Sequence, residues 1–194
     1  MRLSGASVQA SITPRILSPP RGNTLLARMT EADFRSLYKQ YRDPLFRFGY
    51  RLTGSVETAE DLVHDCFVGL FRGTFDARQA SMKTYLYAAM RNLCRKRYRD
   101  SGREELLDEN AESPVNAGVI EALISRETSA AVQLAVAALP LLQREALVLF
   151  EYEDLTLDEI SKVVAADLAA VKSRLHRARE ALRKTLASLV KETA

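Results

Sequence analysis

Apolar residues begin to recur at steps of three and four from Thr30 onward. Phe34, Leu37, Tyr38, Tyr41, Leu45 and Phe48 trace one face of a helix, or of a helix pair broken near Pro44. Gly54 and Ser55 mark a stop and a start. Ala59, Leu62, Val63, Cys66, Phe67 and Leu70 then line one side of a second helix. Glu57, Glu60 and Asp61 sit in its first turns, where the helix dipole favours anions. A loop over 73–81 leads to a third helix, from about Lys83 to Arg99. There Tyr85, Ala89 and Leu93 form the expected buried stripe, and Arg91, Arg95, Lys96 and Arg99 populate the rest.

The pattern lapses over 101–127, where Gly102, Pro114, Asn116 and Gly118 give linker chemistry, although Val119 to Ser125 is compatible with a short helix. A second ordered unit is expected from Thr128. Pro140 suits the first turn of a helix running from Leu141 to about Tyr152, with Ala146, Leu147, Leu149 and Phe150 buried. Thr156 and Glu159 have the spacing of a capping box, and Leu155 with Ile160 that of a hydrophobic staple. A short helix therefore starts at Leu157, and Asp167 is a cap for the next one. In that last helix Leu168, Val171, Leu175, Ala178 and Leu182 fall within about 80° of one another. The opposite side presents Ala169, Ala170, Ser173, Arg177 and Lys184, flanked by Lys172, Arg174 and His176. A short capped helix, a tight turn and a second helix with small and basic outward residues is the layout of a helix-turn-helix. Small residues let such a helix sit deep in a major groove, while Ser, Lys and Arg bond phosphates and base edges. A solvated amphipathic helix would also carry outward charge. The capped helix before it and the near absence of acid favour DNA binding.

Charge sharpens this reading. The formal net charge of +3 hides a segregation. Residues 1–29 carry four arginines and no acid. Residues 30–100 have a net of +4, and 101–127 a net of −5. Lys83 to Arg99 has six positive residues and no acid, and Leu168 to Lys184 has six positive residues and one acid, Glu180. Two basic helices separated by an acidic stretch suggest a polyanion held at two places. The Ser-, Pro- and Arg-bearing residues 1–29 read as a disordered N-terminal extension, with Met29 as an alternative translation start. They superficially share the character of an organelle transit peptide.

The chain has two cysteines and two histidines in 194 residues. These exclude a disulfide framework and a four-ligand zinc site, and a reducing cytoplasm fits best. No apolar run is long enough for a membrane span. His64, Asp65 and Cys66 are adjacent on one helix and point about 100° apart, so they cannot converge on a metal ion. No phosphate-binding glycine loop or nucleophile constellation is present, so no cofactor and no enzymatic activity are expected. The fold class is all-α: two small helical domains over 30–100 and 128–194, joined by a flexible acidic linker over 101–127.

The runs Leu139-Pro140, Gln143-Arg144-Glu145, Leu147-Val148-Leu149, Asp158-Glu159-Ile160 and Val171 to Arg179 together resemble the C-terminal domain of bacterial RNA polymerase sigma factors. The resemblance is greatest to the two-domain extracytoplasmic-function (ECF) group. Independently, Ala59 to Phe67 resembles the polymerase-clamp helix of that family, and Tyr85-Leu86-Tyr87 with Arg91-Asn92-Leu93 resembles its promoter-melting helix. The likeness spans roughly 30–100 and 128–187. It departs from the family in lacking any Trp, where Tyr85 stands for one, and in having His64-Asp65 where Gln-Glu is usual. The helix-turn-helix turn reads Ala165-Ala166-Asp167 where Gly is usual, and Ala170 stands for Thr. An Ala forced to positive φ costs about 1 kcal/mol.

The resemblance implies a sigma factor that directs core polymerase to promoters. Asp61, His64 and Asp65 would contact core polymerase at the beta-prime clamp, with the beta flap as the second contact of the family. Phe75, Tyr85, Tyr87, Arg91, Asn92, Arg95 and Lys96 would engage the minus-10 element as a single strand, the aromatics as stacking surfaces. Lys172, Ser173, Arg174, His176 and Arg177 would read or grip the minus-35 duplex. An anti-sigma factor is a further partner that the resemblance implies, and no direct membrane insertion is expected. The alternative is an autonomous helix-turn-helix regulator, which would need a sensor or dimerisation domain.

Overall fold

The computed structural model describes residues 29–72, 80–108 and 128–192. Residues 1–28, 109–127 and most of the loop before the third helix, Phe75 included, lie outside them.

Thr30 opens helix α1, Glu31–Thr53, with a capping box in which its side chain accepts from the Asp33 N–H and Asp33 bonds back to the Thr30 N–H. The helix continues through Pro44 instead of breaking there. The carbonyl that Pro44 leaves without its helical partner belongs to Gln40, an exposed residue, and burial of Leu45, Phe48 and Leu52 holds the helix together across it. Gly54 ends α1 at φ 72°, the left-handed conformation that glycine adopts without strain. Ser55 then accepts from the Thr58 N–H at 3.2 Å and opens α2, Val56–Arg72. Gly49 sits where α1 meets its neighbours. A Cβ there would collide with the Met90 methyl.

Helix α3, Met82–Asp100, is capped by Ser81. Its expected stripe is displaced. Tyr85, Ala89 and Leu93 are half-buried, whereas Leu86, Tyr87, Met90, Arg91 and Cys94 are buried. The reason is that α3 is covered on more than one side. It packs on α1 and α2, and also on a helix of the second group, so a single-stripe rule does not apply.

A 3-10 turn, Glu104–Leu107, follows α3 and packs against it, so the expected linker begins with an ordered turn. Its remainder, including Val119 to Ser125, lies outside the described residues.

The second group comprises α4 (Thr128–Ala137), α5 (Leu141–Glu151), α6 (Leu157–Val164) and α7 (Leu168–Glu192). Pro140 occupies the N-cap of α5, which starts at Leu141 as expected. Thr156 and Glu159 form the expected capping box at the start of α6, and Leu155 and Ile160 are both buried. Ala165 ends α6 in the left-handed region at φ 49°. Its Cβ is strained there, so Ala165→Gly is expected to raise stability by about 1 kcal/mol, less the entropy glycine adds to the unfolded chain. Urea unfolding of the two proteins measures this, and no gain would show that the turn carries no strain.

The two groups pack directly on each other. α3 meets α6, and α1 meets α5. Arg91 of α3 bonds Glu145 of α5 at 2.9 Å. Arg144 Nη1 donates to the Leu52 carbonyl at the end of α1 at 3.1 Å, and Tyr98 Oη donates to the same carbonyl at 2.6 Å.

Candidate nucleic-acid interface

The helix-turn-helix is α6, the turn at Ala165 to Asp167, and α7. Ser161 Oγ donates to the Ala166 carbonyl at 2.6 Å, and the Asp167 carboxylate accepts from the Ala170 N–H at 2.7 Å. The first bond fixes the turn and the second starts α7. Val171, Leu175 and Ala178 anchor α7 to the core, while Leu168 is exposed and Leu182 half-buried at the ends of the expected stripe. Lys172, His176 and Arg177 are exposed on its outer side and Ser173 is half-buried. His176 Nε2 lies 3.7 Å from the Glu180 carboxylate. Arg179 bonds Glu151 at 2.7 Å and lies over the Phe150 ring, which ties α7 back to α5. Arg174 differs from its neighbours. It is buried, and its charge adds to the lowering of the Arg95 pKa that burial begins.

On α2, Asp61, His64 and Asp65 share one exposed face, opposite Leu62, Val63, Cys66 and Phe67. Asp61 lies 3.6 Å from Arg97, both side chains being more than half exposed, so this pair contributes little to stability. Cys66 points inward and donates to the Leu86 carbonyl at 3.7 Å, and burial pushes its thiol up to about 12. His64 and Asp65 therefore diverge from Cys66, and the thiol is held protonated. No cluster of three potential metal ligands occurs among the described residues.

The residues expected at a single-stranded minus-10 element are not all on one open surface. Lys96 is exposed, and Tyr85, Asn92 and Arg95 are half-buried, with Arg95 donating to the Leu107 carbonyl. Burial lowers the Arg95 pKa. Tyr87 and Arg91, by contrast, are 1% and 3% exposed. Tyr87 Oη donates to Glu153, and Arg91 to Glu145. Both partners come from the second group, so in this form neither Tyr87 nor Arg91 faces a strand. Burial and the Glu153 carboxylate both raise the pKa of Tyr87.

Several residues at this junction escape a reading of the sequence: Arg51, Lys83, Arg144, Glu145, Tyr152 and Glu153. A signal existed for two of them. Leu141 to Phe150 is apolar almost all round, and Arg144 and Glu145 interrupt it. Charges within such a helix require buried partners.

Residues 37–104 match the family model described as Sigma-70 region 2, and residues 129–182 match Sigma-70, region 4. The chain is 33% identical over 165 residues to the ECF RNA polymerase sigma factor SigE of Mycolicibacterium smegmatis, covering 81% of this chain and 63% of that one. It is 31% identical over 169 residues to the ECF RNA polymerase sigma factor SigW of Bacillus subtilis, covering 80% of this chain and 90% of that one. Two solved structures share the fold at a TM-score of 0.60 and 21% identity. CnrH, in complex with the cytosolic domain of CnrY, is covered to 93% by 84% of this chain. The sigma factor RpoE of Bartonella quintana, in complex with the anti-sigma factor NepR, is covered to 97% by 80% of it.

Proposed function

We propose, from the premise that this chain belongs to the sigma-70 family and to its ECF group, that it binds core RNA polymerase and directs promoter-specific transcription initiation. The observation that carries the reading is the pairing in one chain of a region 2 match with an exposed acidic α2 face and a region 4 match with a basic, capped helix-turn-helix. An autonomous regulator would have no use for the first of these. The reaction chemistry belongs to the polymerase, and the chain acts as a non-enzymatic initiation factor. Promoters place its work in the bacterial cytoplasm, and no helix among the described residues is long and apolar enough to cross a membrane.

In this reading residues 30–100 bind core polymerase and the minus-10 strand, and 128–194 bind the minus-35 duplex. Asp61, His64 and Asp65 face the clamp. Lys172, Ser173, His176 and Arg177 face the duplex, while Arg174 supports α7 from behind. The solved structure of RpoE in complex with the anti-sigma factor NepR supports an anti-sigma partner for this chain as well.

The test is binding and transcription with purified core polymerase. Asp61→Arg combined with Asp65→Arg is expected to weaken core binding by about tenfold or more while leaving the fold intact, because both side chains are exposed. Arg177→Ala is expected to cost about 1–3 kcal/mol of discrimination at one minus-35 position. Lys172→Ala is expected to weaken all promoter variants alike and to flatten the salt dependence. Unchanged core affinity in the acidic double variant would overturn the clamp assignment, and unchanged duplex binding and promoter choice in both α7 variants would overturn the placement of the recognition helix.

A further inference from the structure

The turn between α5 and α6 carries Tyr152 and Glu153, and it docks on α1 and α3. The Arg51 guanidinium lies 4.1 Å from the centre of the Tyr152 ring. The Glu153 carboxylate accepts from Tyr87 Oη and stands 4.0 Å from Arg51 Nη1. Lys83 Nζ donates to the Glu153 backbone carbonyl. A hydroxyl from α3 and a guanidinium from α1 therefore meet the Glu153 carboxylate, and an ammonium from α3 meets its backbone carbonyl. An aromatic ring on a guanidinium, followed by an anion among cations, is what a nucleotide offers: a base to stack and a phosphate to pair.

We propose that Arg51, Lys83 and Tyr87 form a backbone-phosphate site for single-stranded DNA, and that Tyr152 and Glu153 occupy it as an internal mimic of the strand. The proposal rests on the sigma-factor reading for the identity of the strand. It goes beyond that reading in assigning Arg51 of α1 to the strand, and in giving the α5–α6 turn an inhibitory role. When the second group is docked, Tyr87 and Arg91 are covered and the phosphate site is filled. A strand gains access only when the turn leaves.

The ionic contacts of this junction are ones a polyanion can replace. They are Arg91 with Glu145 and Arg51 with Glu153. Glu145 Oε1 and Arg51 Nη1 are buried without a hydrogen-bond partner. A buried ion pair gives little net stability because desolvation offsets its attraction. An incompletely satisfied polar interface is weaker still. A polyanion that supplies equivalent partners to Arg51, Lys83 and Tyr87 can therefore displace the turn.

The experiment uses the full chain, a short fluorescent single-stranded oligothymidylate as probe, and spin labels on exposed positions of α1 and α7. Glu153→Ala is expected to bind the oligonucleotide about tenfold more tightly than the parent, the factor by which a mostly docked turn reduces apparent affinity. Glu153→Gln keeps a hydrogen-bonding partner for Tyr87 without the charge, and an intermediate gain is expected. Adding Arg51→Ala or Lys83→Ala to Glu153→Ala is expected to reverse the gain and lower the salt slope by about one. Saturating oligonucleotide should lengthen the distance between labels in the parent chain. Equal affinity in the parent and both Glu153 variants would overturn the mimic. An unchanged salt slope on losing Arg51 and Lys83 would overturn the phosphate site. Inorganic phosphate that competes at the same phosphate concentration as the oligonucleotide would overturn its assignment to a strand. Core binding is measured in parallel. If it fails while the affinity ranking holds, the sigma-factor reading falls and the internal mimic stands. If the parent transcribes while the ranking is flat, the reverse follows.

Discussion

Phe48→Ala is expected to lower the stability of the protein by about 3–5 kcal/mol, the usual cost of removing a buried aromatic ring. Phe48 is fully buried on α1 and meets the Tyr87 ring edge-to-face at a centroid distance of 5.3 Å. Such a pair contributes about 0.5–1.5 kcal/mol beyond the area it buries. Leu45, Leu52, Leu62 and Met90 belong to the same core, and none is free to fill the space without leaving its own contacts. The substitution also removes the wall that orients Tyr87. Phe48→Leu should cost less because it keeps most of the apolar bulk. Urea unfolding followed by circular dichroism measures both. A loss below about 1 kcal/mol for Phe48→Ala would show that α1 and α3 re-collapse around the gap.

Apart from Arg174, which is buried, and Leu168, which is exposed, the helix-turn-helix was legible because its determinants are local. Thr156 and Glu159 lie three positions apart on the chain and bond each other in the structure. Asp167 caps α7 from the position its side chain suggests. Even the departure at the turn is local, since Ala165 stands in the left-handed conformation that a glycine would take. The exposure of Lys172, His176 and Arg177 followed from the same periodicity that buries Val171, Leu175 and Ala178.

What the sequence hid is tertiary. Periodicity assumes that a helix has one buried face. α3 lies between two layers, so Arg91 is 3% exposed although its neighbours in a basic run suggest solvent or DNA. Pro44 left open whether one helix or two would form, and the structure has one. A proline breaks a helix only when packing does not hold both halves in line, and here Leu45 and Phe48 do so. Glu153 gave no local sign of its role. It sits in a short turn beside Asp154, where an acid is ordinarily solvated, and its meaning comes from Arg51, Lys83 and Tyr87, which lie far away in the chain.

Arg144→Met is expected to cost about 3 kcal/mol or more, most of it at the α4–α5 turn. The Arg144 guanidinium donates to the Leu139 carbonyl at 2.8 Å, to the Ala137 carbonyl, and to the Leu52 carbonyl of α1 at 3.1 Å. It thus closes the end of α4, holds the α4–α5 turn, and ties α5 to α1. Methionine fills much of the same volume but leaves these acceptors to find other donors, and each buried group left unsatisfied costs about 1–3 kcal/mol. The Leu52 carbonyl keeps Tyr98 as a donor, so the larger share of the loss falls on the α4–α5 turn. Arg144→Lys is expected to recover only part of it, because one ammonium on a flexible stem cannot reproduce the planar fork that spans three carbonyls. Urea unfolding gives the total, and amide hydrogen exchange separates its parts. Faster exchange in α4 with little change in α1 would match this division. Equal stability of the parent, Arg144→Met and Arg144→Lys would mean that water satisfies these carbonyls and that Arg144 does not hold the turn.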